Sequence, residues 1–225
     1  MIEFDKVAYS YGGGNLLSGL SLRLQPGSFH FLTGPSGAGK STFLKLCYME
    51  LAPSSGMVQI FGQEARDMTR DQVAQARRRI GVVHQDCQFL DHLSLRENVA
   101  LPLTVAGRDV AESEADIASL MEWVGLKDQQ EQRPPELSGG ERQRAALARA
   151  VIMDPDIILA DEPTGNVDWE MSQRLLSLLV ELNKLGKSVV VATHDMNLIR
   201  VAKSQVSARV LRIKDRTLQL AGADL

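Results

Sequence analysis

Two glycine-rich segments of the chain carry residue types that bind phosphate groups. The first matches the pattern G-x-x-x-x-G-K-[ST] at every fixed position and follows an apolar run at 29–32. Its residues are Gly34, Pro35, Ser36, Gly37, Ala38, Gly39, Lys40 and Ser41, with Thr42 next in the predicted phosphate-binding set. Backbone N–H groups of such a loop cradle phosphates, the lysine bridges the β- and γ-phosphates, and the serine hydroxyl coordinates Mg²⁺. This segment predicts a site for a nucleoside triphosphate with Mg²⁺.

The second segment contains Ser138, Gly139, Gly140 and Glu141. Its glycines let backbone N–H groups approach an anion, and its serine offers a hydroxyl. The run 141–153 contains no proline or glycine, which predicts that the segment lies at the N-terminus of a helix. Two phosphate-binding segments in one chain suggest a site that a second chain completes.

Two acidic residues follow an apolar strand candidate at 157–160. Asp161 is placed to hold Mg²⁺, directly or through water, and Glu162 is placed to polarise an attacking water as general base. Paired carboxylates at a strand end also occur in solvated turns, but the phosphate-binding loop favours the catalytic interpretation.

Two further polar residues follow strand candidates. His194 comes directly after the apolar run 189–193, where its ring is placed to hydrogen-bond a γ-phosphate and to sense its loss. Gln85 follows the run 80–83, with one residue between them, and its side-chain carbonyl can reach Mg²⁺ or the attacking water. We therefore expect both residues in the same site.

An aromatic residue near the N-terminus is a candidate for stacking on a nucleotide base. Tyr11 precedes three consecutive glycines and is favoured for this role, with Tyr9 as the alternative.

The order of apolar runs predicts an α/β fold with a mostly parallel sheet and flanking helices. The first strands are expected to form an antiparallel flank. Strand candidates lie at 2–11, 20–24, 29–33, 58–61, 80–83, 157–160, 189–193 and 206–213, and helix candidates at 41–51, 111–124, 141–153 and 169–185. We expect one domain over 1–225, and no strong strand candidate interrupts its segment 85–155. Its core is predicted at about 1–85 and 156–225, with a helical subdomain inserted at about 86–155.

The composition is that of a globular protein, with 44% hydrophobic and 24% charged residues. A formal net charge of −3 predicts no nucleic-acid partner, since such binding depends on Lys and Arg neutralising phosphates. Cys47 and Cys87 show no metal-binding spacing and are expected to be reduced thiols. No signal peptide is evident, and no run approaches the about 18 apolar residues of a transmembrane helix.

The set of motifs as a whole resembles the ATP-binding cassette (ABC) family, in order and over essentially the whole chain. The resemblance is carried by 34–41, Gln85, LSGGE at 137–141, the Asp161-Glu162 pair, 165–168 and His194. It implies ATP as the nucleotide, the P-loop ATPase fold of the family, and an ATP-dependent head-to-tail homodimer. In that dimer, Ser138 and its glycines close over ATP held by the other chain, and Asp168 helps to couple the two sites.

Within the family the chain is most similar to cell-division ATPases, through 97–103, 160–168 and 181–199. Lipoprotein-release and macrolide-export ATPases look similar through much of this, so an export function stays open. Soluble members acting on ribosomes or DNA usually carry two cassettes or a long coiled-coil insertion, and this sequence has neither. The resemblance implies an FtsX-like integral membrane partner, contacted through about 85–103, and a location at the cytoplasmic face of the bacterial inner membrane.

The chain departs from the usual pattern of these relatives in the segment expected to contact that partner. His84 replaces an aromatic residue, Cys87 and Gln88 replace a more apolar or basic pair, and Asp91 replaces a common proline. Phe89, Leu90 and Leu93 are candidate partner contacts, with packing inside the helical subdomain as the alternative. These departures leave the hydrolytic residues unchanged.

Overall fold

The computed structural model describes residues 1–165 and 167–220. Asn166, which belongs to one of the motifs above, and residues 221–225, the end of the predicted core, lie outside the described residues. The described part of the chain forms ten strands and seven α-helices. The strands are β1 (Ile2–Ser10), β2 (Asn15–Leu24), β3 (Phe29–Thr33), β4 (Ser55–Ile60), β5 (Gln63–Glu64), β6 (Ile80–Val83), β7 (Ile157–Asp161), β8 (Ser188–Ala192), β9 (Ala208–Lys214) and β10 (Thr217–Leu220). The α-helices are α1 (Lys40–Cys47), α2 (Arg70–Arg78), α3 (Leu95–Val105), α4 (Glu114–Trp123), α5 (Gly139–Val151), α6 (Trp169–Lys184) and α7 (Met196–Lys203).

The main sheet has six strands in the order β10-β9-β3-β8-β7-β6. Five of them run parallel, and β10 pairs antiparallel with β9 at one edge. Every residue of β3 and of β8 is buried, as expected for strands covered on both faces. The prediction of a mostly parallel core is therefore confirmed.

A second, antiparallel sheet has the order β2-β1-β4-β5 and forms the predicted N-terminal flank. Strand β2 starts earlier than the predicted 20–24 because its first residues pair back onto β1, with Asn15 opposite Ser10 and Leu17 opposite Tyr9. The glycine-rich stretch between these strands is thus the turn of a hairpin.

The described elements between β6 and β7 are all helical: α3, α4, α5 and three short 3-10 turns at Ala111–Ser113, Lys127–Gln129 and Pro134–Glu136. Their apolar residues, among them Leu95, Ile117 and Leu147, share one buried cluster with residues of the main sheet. A second cluster joins the main sheet to α1 and the antiparallel flank. The inserted helices therefore pack on the sheet that carries the nucleotide-site candidates.

Helix α1 ends earlier than the predicted helix at 41–51. Met49 has a φ of 60°, which a helix does not accommodate, and Arg77 donates to the carbonyl oxygens of Tyr48 and Met49. Arg77, the first of three consecutive arginines at 77–79, thus stabilises the turn that follows α1. Another, Arg79, pairs with Asp156 at 2.6 Å. Both arginines therefore have partners within the chain.

Candidate functional site

The predicted chemical residues follow four parallel strands and meet at one edge of the main sheet. The loop at 34–39 follows β3, Gln85 follows β6, and His194 follows β8, while Asp161 ends β7. Ligands of open α/β sheets bind at the carboxyl ends of the strands. A cavity of about 590 Å³ lies there, lined by Leu16, Gly34, Pro35, Ser36, Gly37, Gly39, Lys40, Ser41, Thr42, Gln85, Asp161, Glu162, Gly165 and His194.

Close packing explains two glycines of the phosphate-binding loop. Gly39 is the N-cap of α1 with a φ of 103°, and a Cβ atom there would lie 2.8 Å from Leu17 Cδ2. A Cβ atom at Gly34 would lie 2.9 Å from the carbonyl oxygen of Ile213. Ala38, a predicted binding residue, does not line the cavity and instead packs against the second core cluster. The loop is thus held against β2 and β9, and the N-terminus of α1 lies at the cavity.

Lys40, Glu162 and His194 form a connected chain of charged and polar side chains. The Lys40 ammonium donates to the carbonyl oxygen of Gly34 at 3.1 Å and lies 3.4 Å from Glu162 Oε1. The other carboxylate oxygen of Glu162 lies 3.0 Å from His194 Nδ1. Because an ionised carboxylate only accepts hydrogen bonds, Nδ1–H of His194 donates to Glu162, and a neutral ring protonated at Nδ1 has no second N–H to donate to a phosphate.

Glu162 is held in this position by its backbone. Its φ of 45° is in the left-handed region, and its N–H donates to the carbonyl oxygen of Ala192 at 2.9 Å. Non-glycine residues keep this conformation where the surroundings hold them, often at active sites. Only 13% of the Glu162 side chain is exposed, so its carboxylate is shielded but still faces the cavity.

Asp161 and Ser41 fit a site for Mg²⁺. Asp161 Oδ1 is buried and has no hydrogen-bond partner, so it is free to bind a cation. Burial raises the pKa of Asp161, while a hydrogen bond with Ser41 acts in the opposite direction. Oxygen ligands from a carboxylate and a hydroxyl, completed by phosphate oxygens, match the preference of Mg²⁺.

Tyr11 lies at the rim of the phosphate-binding loop rather than among the lining residues. Its side chain is exposed (65%), and its hydroxyl lies 3.3 Å from Thr42 Oγ1. Tyr9 contacts the Tyr11 ring edge to face, with centroids 4.8 Å apart, and packs against the core. Of the two rings, Tyr11 therefore has the free surface that a base could cover.

The second glycine-rich segment does not line the cavity of its own chain. Ser138 is the N-cap of α5, which begins at Gly139. The Ser138 hydroxyl and N–H both donate to Glu141, and these bonds, the hydroxyl first, lower the pKa of that carboxyl. A Cβ atom at Gly140 would lie 2.8 Å from Met171 Cγ, so this glycine permits α5 to pack on α6.

Asp168 also lies outside the lining of the cavity. It is the N-cap of α6, and its carboxylate accepts from the N–H of Met171 at 2.8 Å. This local role does not test the predicted coupling of two sites.

The structure adds residues that the motifs did not indicate. Leu16 lines the cavity beside Gly165, which already belongs to the motif at 165–168. The buried Gln143 of α5 donates to the backbone carbonyl of Gln85 at 3.2 Å. The capping box of α5 was visible in the sequence, but no pattern pairs Gln143 with a loop so distant along the chain.

None of the helices in residues 1–165 and 167–220 combines the length and apolar character needed to cross a membrane.

Comparisons with known proteins agree with this geometry. Residues 17–165 match the family model described as ABC transporter. The chain is 42% identical over 217 residues to the cell division ATP-binding protein FtsE of Escherichia coli K12, covering 96% of each chain. It is 39% identical over 209 residues to FtsE of Bacillus subtilis strain 168, covering 92% of each.

A solved structure has the same fold. The ATP-binding cassette MJ0796, described as a dimer in a post-hydrolysis state bound to ADP and Pi, superposes with a TM-score of 0.86 at 33% identity. The match covers 97% of each chain. The P-loop, the paired carboxylates at the end of β7 and these relatives give one conclusion: the chain belongs to the ABC transporter family of ATP-binding proteins.

Proposed function

We propose that the chain binds and hydrolyses ATP as one half of a two-chain ATPase, and that this ATPase works with an FtsX-like membrane protein in bacterial cell division. The observation that carries the ATPase proposal is the contact chain from Lys40 through Glu162 to His194 in the cavity at the strand ends. The cell-division proposal is supported by the curated FtsE relatives, which match the chain over nearly its whole length.

In this proposal, Lys40 exchanges its contact with Glu162 for oxygens of the β- and γ-phosphates. Glu162 is then free to accept a proton from the attacking water. His194 orients the carboxylate through Nδ1, and it can donate to the γ-phosphate only when it leaves Glu162 or carries a second proton. The side chain of Gln85, which also lines the cavity, positions the water or contacts the metal ion.

Ser41 and Asp161 would hold Mg²⁺, with Gln85 as a further ligand. A magnesium ion bound by these residues would neutralise negative charge on the phosphates during hydrolysis. The buried, unpartnered oxygen of Asp161 supports this assignment, since a bound cation would stabilise an ionised carboxylate at that position.

The second phosphate-binding segment acts on ATP bound by another copy. Within one chain, Ser138 and its glycines are absent from the lining of the cavity, yet they stand at a helix N-terminus suited to an anion. The solved relatives are described as dimeric. A head-to-tail arrangement would bring Ser138 of each copy to the P-loop of the other. Glu141 would hold the N-terminus of α5 by accepting hydrogen bonds from Ser138.

In this proposal the membrane partner binds in a groove beside the Gln85 loop. It has a volume of about 620 Å³, and its walls include the basic Arg77 and Arg78 and the exposed Val105. His84 and Gln88, two of the departures from the usual pattern, also line it. Partner preference would therefore be set here without altering hydrolysis.

Of the three candidate contacts on the adjoining loop, Leu90 is the best exposed, at 41%. Phe89 packs against the core cluster and under Arg149. Leu93 is only partly buried. Through this surface the ATPase cycle would pass to the partner at the cytoplasmic face of the inner membrane and regulate septal peptidoglycan hydrolysis outside it.

The ATPase proposal is tested by Glu162→Gln, which keeps the shape of the side chain but removes the base. We expect hydrolysis to fall by about 10²- to 10⁴-fold. ATP should then hold the 24.7 kDa chain as a dimer, measured by analytical ultracentrifugation. Glu112→Gln, at an exposed carboxylate of the helical insertion, is the matched control. Hydrolysis by Glu162→Gln at the parental rate would contradict the assignment.

The partner is tested separately, by identifying the membrane protein that co-purifies with the chain from its own cells. An FtsX-like protein supports the cell-division proposal. A lipoprotein-release or macrolide-export permease would replace it with an export function and leave the ATPase proposal intact.

A further inference from the structure

The loop that carries Gln85 contains two consecutive residues in the left-handed region. Cys87 and Gln88 have φ values of 57° and 48°, and neither is a glycine. Such residues persist where the surrounding structure over-determines them. Local backbone bonds close the turn, from Cys87 N–H to the His84 carbonyl and from Gln88 N–H to the Asp86 carbonyl. These local bonds use the carbonyl oxygens of His84 and Asp86. The carbonyl oxygens of Cys87 and Gln88 therefore need donors from elsewhere in the chain.

One arginine of α5 satisfies them. The guanidinium of Arg149 donates to the carbonyl oxygen of Cys87 and, at 2.8 Å, to that of Gln88. It also lies over the ring of Phe89, with 4.5 Å from Cζ to the centroid. Within the described residues no carboxylate pairs with Arg149, so these carbonyls and this ring are the groups that compensate its charge.

The same helix holds the start of the loop. Gln143, which is 3% exposed, donates to the carbonyl oxygen of Gln85. On the far side, Asn98 of α3 accepts from the N–H of Leu90 and donates to its carbonyl. The backbone from 85 to 90 is therefore held by hydrogen bonds from three side chains, and of these three only Arg149 hydrogen-bonds to Cys87 and Gln88.

We propose that Arg149 is a positioning residue: by holding the carbonyls of Cys87 and Gln88, it fixes the loop that places Gln85 in the ATP site. The proposal rests on the proposed ATPase function for its effect on the rate, but not for its effect on the loop. Arg149 does not line the ATP cavity, so it acts through the backbone.

The two cysteines report on the loop independently of activity. Cys87 is 5% exposed and lies in the loop, whereas Cys47 is fully buried in α1. Maleimide labelling of the native protein, quantified by mass spectrometry of the two peptides, therefore measures local opening at Cys87 and global unfolding at Cys47. The variants are Arg149→Met, which removes the donors, and Arg149→Lys, which keeps the charge without the two-pronged geometry.

Arg79→Met is the matched control. Arg79 likewise combines a hydrogen bond, to Asp156, with a position 3.8 Å over an aromatic ring, that of Phe61. It makes no contact with the loop at 85–90. The Arg79→Met variant should therefore label Cys87 at the parental rate.

We expect Arg149→Met to speed the labelling of Cys87 about tenfold or more, as the loss of a hydrogen bond to a charged group implies, with Cys47 unchanged. The kcat for ATP should fall while KM stays near the parental value, because the P-loop contacts are untouched. Arg149→Lys should be intermediate in both measurements.

Three results would overturn the proposal: parental labelling of Cys87 in Arg149→Met, equal acceleration at Cys47 and Cys87, or faster labelling of Cys87 with an unchanged kcat. If the parental chain itself hydrolyses no ATP, the proposed function fails. The labelling rate of Cys87 relative to that of Cys47 then still decides whether Arg149 holds the loop.

Discussion

Acidification should destabilise the fold through one buried histidine of the strand that leads into the P-loop. His30 lies in β3, is 1% exposed, and has no hydrogen-bond partner at Nδ1. Burial, with a smaller contribution from the positive charge of Arg209, lowers the pKa of His30 to about 4 from its ordinary 6.5. The unfolded chain binds this proton more tightly than the folded chain does. The contribution of neutral His30 to the free energy of unfolding is therefore present above pH 6.5 and is lost as the pH falls towards 4.

The size of the loss follows from the two pKa values. Between about pH 7.5 and about pH 5, the His30 contribution amounts to about 2 kcal/mol of unfolding free energy. For a chain of this length, that corresponds to a fall in Tm of about 4–8 °C. His30→Leu removes the titration and the unpaired nitrogen while keeping a side chain of similar bulk.

The assay is urea unfolding of the parent and of His30→Leu at both pH values. Other titrating groups contribute to both proteins, so the difference between the two losses isolates His30. We expect the parent to lose about 2 kcal/mol more than the variant. Equal losses in the two proteins would refute the argument that a neutral buried His30 resists protonation.

Three further changes test the site and its supports. Tyr11→Ala should weaken ATP binding by about 1–3 kcal/mol if its ring stacks on the base, measured by titration calorimetry, whereas Tyr9→Phe should bind like the parent. Asp161→Asn should abolish the gain in ATP affinity that Mg²⁺ provides, and an undiminished gain would rule out this carboxylate as the metal ligand. Gly140→Ala should lower the free energy of unfolding by about 1–3 kcal/mol, because the added Cβ meets the Met171 side chain. In a double-mutant cycle, Met171→Ala removes most of that side chain and should reduce this cost.

Much of the cavity was predictable because its residues follow buried parallel strands. The predicted bounds of β3 and β6 are those observed, since each is a short, continuous apolar stretch with clear ends. The carboxyl ends of parallel strands share one edge of a sheet, so the predicted strands together with the P-loop motif place Lys40, Gln85 and Glu162 near one another. The resemblance to the ABC family is confirmed by the matching family model and the curated relatives.

Three helices lie outside the individual helix candidates, although their start signals are present, and one of them, α3, falls in the helical subdomain expected at about 86–155. Capping boxes join Thr69 to Gln72 at α2 and Ser94 to Glu97 at α3, and Asp195 caps α7. Strongly polar composition conceals α2, and Pro102 interrupts the pattern of α3. In these segments a few apolar contacts and the caps decide the structure, rather than a long amphipathic period.

The support of the Gln85 loop could not be predicted. Gln143 and Arg149 bind backbone carbonyls about 60 residues away, and such contacts leave no periodic trace in the sequence. The left-handed conformation at Cys87 and Gln88 likewise lacks the glycine or asparagine that usually indicates it.

The central claim is that each ATP site combines the P-loop of one copy with the Ser138 segment of another. The most direct measurement mixes two inactive variants, Lys40→Ala and Ser138→Asp, and follows ATP hydrolysis. Aspartate still caps α5 but places a negative charge against the γ-phosphate. Because half of randomly paired dimers would contain one intact site, the mixture should recover about a quarter of parental activity. A mixture as inactive as each variant alone, or a Ser138→Asp protein as active as the parent, would contradict the two-chain site.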